Sequence, residues 1–138
     1  MSSTLFYDTE VAKITYIKPL NTILLTWKGF VTTEQYIAIG TKAYEAVKHF
    51  QATNWISDQQ NAKAVSKEAS DWGKNKLVPM VIGAGIKNAA FILSKDIFNQ
   101  MYSKGLESSA KSKGVGIHYC TSMQDAKQWI QQQRTVGV

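Results

Sequence analysis

Few residues in this chain are of a type and spacing to do chemistry. His118 and Cys120 stand two positions apart in Val115-Gly116-Ile117-His118-Tyr119-Cys120. That run reads as a strand, and strand alternation puts both side chains on one face. An imidazole beside a thiol is the beginning of a nucleophile–base pair. A plainer reading ranks ahead of it, because free Cys is among the most buried residue types and packs as a small apolar side chain. His49 ends a helical segment, where its charge complements the dipole. Asp58 is the alternative base. It lies in Asn54-Trp55-Ile56-Ser57-Asp58-Gln59-Gln60-Asn61, where an apolar strand runs out into four polar side chains. For Asp58 a turn or capping role stands ahead of ligand contact, and Asp96 matches the first turn of a helix. No catalytic set closes around either carboxylate.

Metal binding needs clustered His, Cys or carboxylates. His49, His118 and Cys120 are scattered, so no metal is expected. Gly83-Ala84-Gly85 follows a helical segment and lacks the third Gly of a dinucleotide loop. It reads as a helix C-cap and turn, and no cofactor is expected.

Trp27, Trp55 and Trp72 form the more informative set. If the second and third strands are neighbours, Trp27 and Trp55 stand together near their carboxyl ends, with Trp72 arriving from the next helix. An aromatic wall beside Asp58, Gln59 and Asn61 would make an apolar pocket with a few polar groups, the usual composition of a ligand site. Against this, each Trp could be a core or cap residue with its N–H bonded to a loop carbonyl. That reading leads for Trp55 and is level for Trp27 and Trp72.

The elements that must position these residues follow from pattern. Val11 to Ile17 and Ile23 to Trp27 flank Lys18-Pro19-Leu20-Asn21-Thr22, a hairpin with a Pro/Asn turn. Leu5 to Tyr7 is a candidate edge strand before it. Thr32-Thr33-Glu34-Gln35 is a capping box opening a helix to about His49, with Tyr36, Gly40, Ala43, Val47 and Phe50 on one face. Ser66 caps the next helix, which Pro79 kinks or splits before Gly83 or Gly85. Ala89-Ala90-Phe91-Ile92-Leu93 is unbroken apolar, as in a strand covered on both faces. Ser94 caps a helix carrying Ile97, Phe98, Met101 and Tyr102. Ser103 to Gly114 reads as a mobile loop. Val115 to Cys120 is the last strand, and Ser122-Met123-Gln124-Asp125 opens the last helix. The order ββαβαβαβα predicts an α/β domain over residues 1–138, mainly parallel, with an antiparallel N-terminal edge and flanking helices.

At 138 residues one core suffices, and 44% hydrophobic with 19% charged residues is ordinary for a globular chain. The net charge of +6 suits an anionic partner, yet Arg134 is the only arginine among 16 basic residues. Phosphate and base readers lean on Arg forks, so nucleic acid is not an expected partner. The single Cys rules out an internal disulfide, and the start lacks a basic n-region and an apolar core, which points to the cytoplasm. No apolar run approaches the ~20 residues of a membrane span.

Trp27-Lys28-Gly29-Phe30, Tyr36, Trp55-Ile56-Ser57-Asp58, Trp72 before Pro79, and Gly85-Ile86-Lys87-Asn88-Ala89 together carry a resemblance. In element order and in these residues the chain resembles the SpoIIAA-like fold of STAS domains. It resembles more closely their bacterial relatives grouped with CRAL-TRIO-type lipid-binding proteins. The resemblance implies a SpoIIAA-like fold and a binding or regulatory role. In STAS antagonists an Asp is followed directly by a phosphorylated Ser or Thr. Here Asp58 is followed by Gln59, so no phosphorylation switch is carried over.

The reading that results is a non-catalytic binding or regulatory module that meets a protein partner or a small apolar, lipid-like ligand at the carboxyl end of the sheet. The alternative is a small enzyme using Cys120 with His118, or Asp58. A homodimer built on the Trp residues and the apolar stretch Leu77 to Ile82 is a third expectation.

Overall fold

A computed structural model describes residues 3–105, 109–112 and 114–136 of the chain. Strands β1 (Ser3–Asp8), β2 (Ala12–Ile17) and β3 (Thr22–Gly29) lead into helix α1 (Thr33–Phe50). Then come β4 (Asn54–Ala62), α2 (Lys67–Trp72), α3 (Val78–Gly83), β5 (Asn88–Ile92), α4 (Lys95–Ser103), β6 (Ser109–Ser112), β7 (Val115–Cys120) and α5 (Met123–Val136). All seven strands join one sheet in the order β1-β2-β3-β4-β5-β7-β6. The central four, β3, β4, β5 and β7, are parallel. Both edges are antiparallel, β1 and β2 on one side and β6 on the other.

The expected hairpin is present, and Leu5 to Tyr7 does lie in an edge strand. Between β2 and β3 the chain makes a 3-10 turn over Lys18–Leu20, closed by Asn21 at φ 47° and ψ 49°. Asn is the non-glycine residue that best tolerates this left-handed geometry. The Asn21 side chain then accepts from the Tyr16 hydroxyl at 2.7 Å and donates to Gln51 O at 3.3 Å, pinning the turn to the end of α1.

Helix starts follow the hydroxyl caps. Thr32 accepts from Gln35 N at 3.1 Å while Gln35 Oε1 accepts from Thr32 N at 2.9 Å, a complete capping box. Ser66 and Ser94 cap α2 and α4 in the same way. The segment around Pro79 is split into two short helices, α2 and α3, the second ending at Gly83 as expected, with Pro79 in the first turn of α3. A π-turn over Gly73–Leu77 joins α2 to α3, with Val78 N donating to Gly73 O. The wider turn makes room for the proline ring and for a residue with no N–H to give. This geometry turns Leu77 and Val81 into the core and leaves Val78 and Pro79 exposed, so only part of the stretch Leu77 to Ile82 is available to a surface between copies.

The core lies on both faces of the sheet. On one, Ile23, Leu25 and Trp27 of β3 and Trp55 of β4 pack against Ala43, Ala46 and Val47 of α1, with Leu77 and Val81 beside them. On the other, Ile56, Ala90, Ile92 and Cys120 pack against Ala126, Trp129 and Ile130 of α5. Full burial of each large aliphatic side chain contributes about 1.5–3 kcal/mol. Asn54 is buried between the strand starts, donating to Leu20 O at 2.9 Å and accepting from Asn88 Nδ2 at 3.1 Å. These bonds tie the amino ends of β4 and β5 to the hairpin turn.

Two segments depart from the sequence reading. Strand β4 does not end at Asp58 but pairs with β3 as far as Ala62 opposite Gly29. Within the expected mobile loop, Ser109–Ser112 is a strand paired with β7, while residues 106–108 and 113 lie outside the described residues. Both segments are held through backbone hydrogen bonds at the margin of the sheet, and their side chains carry no apolar alternation to announce them.

Candidate functional site

The parallel register decides which candidates can meet. Trp55 lies opposite Ile23, whereas Trp27 comes four residues later on β3. At ~3.3 Å per residue this separates the two by about 13 Å along the sheet. Trp55 therefore sits at the amino end of β4, buried in the core, and the expected pairing of Trp27 with Trp55 does not form. Trp27 instead stacks on Tyr36 of α1, with centroids 5.0 Å apart and planes within 9°. Tyr36 in turn meets Trp72 edge-on at 6.1 Å.

Trp27 is the most enclosed of the trio, and Tyr36 and Trp72 are half-buried. Trp27 is 5% exposed. A Cβ placed on Gly40 would come within 2.6 Å of Trp72 Cζ3, so the indole rests directly on the bare backbone of α1. Gly73 plays the same part for the Tyr36 hydroxyl, which a Cβ would approach to 2.8 Å. Burial pushes the Tyr36 hydroxyl above its ordinary pKa. Tyr36 was legible as an inward helix residue, but the spacing gave no sign that it would bridge the two Trp.

The polar candidates bond to one another. Between Thr26 and Lys28 of β3 the register on β4 runs from Asp58 to Asn61, so one extra residue is taken up as a bulge. Asp58 Oδ1 accepts from Gln60 N at 3.1 Å and Gln60 Nε2 at 3.2 Å, spanning the bulge. Gln59 Nε2 donates to Ser57 Oγ at 3.2 Å, and Asn61 is exposed opposite Lys28. Asp58 thus holds the shape of the overrunning strand, across a bulge and not in the turn or cap expected for it.

His118 and Cys120 share a face of β7, and both ring nitrogens of His118 are engaged by other residues. Nδ1 lies 2.6 Å from Ser109 Oγ of β6, and Nε2 lies 3.0 Å from Asp125 Oδ1 in the first turn of α5. Trp129 stacks flat on the imidazole at 5.1 Å. A carboxylate only accepts, so Nε2 carries a proton that it donates to Asp125. The Cys120 thiol points to Phe91 O and Ser122 O. Desolvation pushes its pKa up to about 11, helped by the nearby Asp125 and Asp58 charges and opposed by the Ser122 backbone contact. A thiol so held is protonated at neutral pH and is not poised as a nucleophile.

Sequence reasoning missed that Asp125 joins this pair. The side-chain donor atoms of His118, Cys120 and Asp125 all lie within 4.8 Å of one another, which corrects the view that the His and Cys residues are too scattered to cluster. The available signal was Asp125 at the third position of the α5 capping pattern, five residues beyond Cys120.

Helix α4 stands apart from these clusters. It is capped at Ser94 and amphipathic, yet none of its nine residues is buried. Ile97 is 48% exposed and Tyr102 76%, while Phe98 and Met101 are half-buried. On β5 and β7, to either side of it in the chain, Phe91 and Tyr119 stack at 5.5 Å, half-buried. Phe30, at the carboxyl end of β3, is 70% exposed.

No family model matches the chain, and no curated protein matches it. Among solved structures, an uncharacterised protein of the DUF3478 family with a SpoIIAA-like fold, from Shewanella loihica PV-4, superposes with a TM-score of 0.52. Identity is 14%, over 94% of this chain and 92% of that one. The chain has a SpoIIAA-like α/β fold. Among the described residues no helix is long and apolar enough to cross a membrane.

Proposed function

We propose that the protein is a non-catalytic binding module, one SpoIIAA-like domain over residues 1–138, that docks a protein partner through α4 and the neighbouring carboxyl end of the sheet. The observation behind this reading is that α4 presents apolar side chains and buries no residue. A helix of that length is marginal in water by itself, and packing of an apolar face is what ordinarily sustains it. Single exposed apolar residues need no explanation. Ile97 and Tyr102 lie on one short helix, beside the half-buried Phe98 and Met101 of the same helix.

A small apolar or lipid-like ligand, the CRAL-TRIO-type alternative, would need room beside the aromatic residues. The seating of Trp72 on Gly40 and the near-complete burial of Trp27 weigh against that place. The enzyme reading through Cys120 and His118 is weakened by the protonated thiol and by the other partners of the imidazole. We place the module in the cytoplasm, where a free buried thiol such as Cys120 persists.

The test is a photo-crosslinking side chain at position 102, irradiated in producing cells. A discrete protein adduct is expected that Ile97→Asp abolishes, and that the same group at exposed Lys18, in the turn at the opposite end of the sheet, does not give. An adduct of twice the chain mass would identify the partner as a second copy. Equal labelling from positions 18 and 102, or none from 102, would remove the proposal.

A further inference from the structure

Independently of partner docking, the geometry points to a metal site: we propose that His118 Nε2, Cys120 Sγ and the Asp125 carboxylate bind one divalent transition-metal ion of the zinc class. The three donors come from the end of β7 and the start of α5 and lie within 4.8 Å of one another. Ordinary zinc bond lengths in a tetrahedron place N and O ligands about 3.4 Å apart, and S about 3.6 Å from either. His118 Nε2 and Asp125 Oδ1 are already 3.0 Å apart. An ion entering between them spreads this pair slightly and draws the thiol in by roughly 1 Å. The Asp125 side chain is 55% exposed and free to adjust, whereas His118, at 12%, is held in place.

Protons can be accommodated without breaking the surroundings. With no ion, Nε2–H donates to Asp125, and in the neutral imidazole Nδ1 then accepts from the Ser109 hydroxyl. Ligation requires the Nε2 lone pair, so the imidazole proton moves to Nδ1. The Ser109 oxygen is placed to accept it, because a hydroxyl serves as donor or acceptor alike. Metal-bound His residues usually give their second N–H to such a partner, which fixes ring and tautomer. Trp129, stacked on the ring, holds its plane. The thiol proton leaves to solvent as the Cys120–metal bond forms. A soft sulfur, an imidazole and a carboxylate together favour zinc-class ions over magnesium or calcium. The exposed side at Asp125 leaves the fourth position to water or an incoming donor.

The test titrates the chelator-treated full chain with cobalt(II), then displaces it with zinc. Expected are one cobalt per chain, a thiolate-to-cobalt charge-transfer band, and loss of that band in Cys120→Ser. Asp125→Asn, at an exposed position that spares the fold, should weaken binding about tenfold or more, and Ser109→Ala about tenfold through the second shell. His49→Ala should leave the titration unchanged. Circular dichroism confirms that each variant is folded. Absence of the thiolate band, binding at several equivalents, or binding indifferent to both Cys120→Ser and Asp125→Asn would overturn the assignment.

Discussion

Gly40→Ala is the perturbation that asks most of the aromatic cluster. In an open helix interior this change is favourable by about 1 kcal/mol, because Gly is the poorer helix former. Gly40 lies within the eighteen-residue α1, yet the chain keeps a glycine there. The reason is steric: the added Cβ would stand 2.6 Å from Trp72 Cζ3, 2.8 Å from Cη2 and 3.2 Å from Leu77 Cδ2. Trp72 must move, and overfilling a packed site costs about 1–3 kcal/mol. The two terms leave a net loss of roughly 0 to 2 kcal/mol, near 1 in the middle of the range. For 138 residues, 1 kcal/mol lowers Tm by roughly 3–4 °C. The assay is thermal unfolding read by circular dichroism, with Trp emission recorded alongside. A double-mutant cycle isolates the contact: in a Trp72→Ala background the Cβ meets only the end of the Leu77 side chain, at 3.2 Å and able to turn into the vacated space, and Gly40→Ala should become neutral or stabilising. The coupling should be about 1–3 kcal/mol. A gain of about 1 kcal/mol in the natural background with unshifted emission would refute the seating of Trp72 on α1.

Two further predictions concern the thiol and α4. In chelator, Cys120 should resist a small alkylating reagent at pH 8, since with a pKa of about 11 only about a thousandth is thiolate, against about a tenth for an unperturbed Cys at 9.0. The folded state holds this proton to higher pH than the unfolded state, which loses it near 9.0, so the contribution is intact below pH 9 and is lost between there and about 11. Labelling at the free-thiol rate, or stability rising with pH across that window, would contradict the burial. Ile97→Asp in the isolated protein should change unfolding free energy by no more than about 0.5 kcal/mol, as expected for a side chain making little contact in its own chain; a loss above about 2 kcal/mol would mean that it is core.

Much of the fold is written in short-range signals. Thr32, Ser66, Ser94 and Ser122 each announce a helix through a hydroxyl followed by the residues it caps, and each does so in the structure. The apolar run ending at Leu93 and the hairpin around Asn21 are legible for the same reason. The candidate site is less so, because its assembly depends on register and crossover geometry. Trp27 and Trp55 belong to adjacent strands and the same face, and only the parallel register, set partly by buried Asn54, puts them at opposite ends. The bulge at Asp58 let a polar stretch continue as a strand where side-chain pattern suggested a loop. Asp125 stands only seven residues from His118, and what the sequence leaves open is the turn after β7 that folds the start of α5 back onto the strand end.

The central claim is that α4 lacks the support from its own chain that an amphipathic helix ordinarily has. Native-state hydrogen exchange of residues 95–103 in the isolated protein, compared with α1, measures this directly. The account predicts opening of α4 at about 1–2 kcal/mol, far below the several kcal/mol that α1 needs, with protection rising when the crosslinked partner is supplied. Protection of α4 equal to that of α1 in the isolated protein would contradict it.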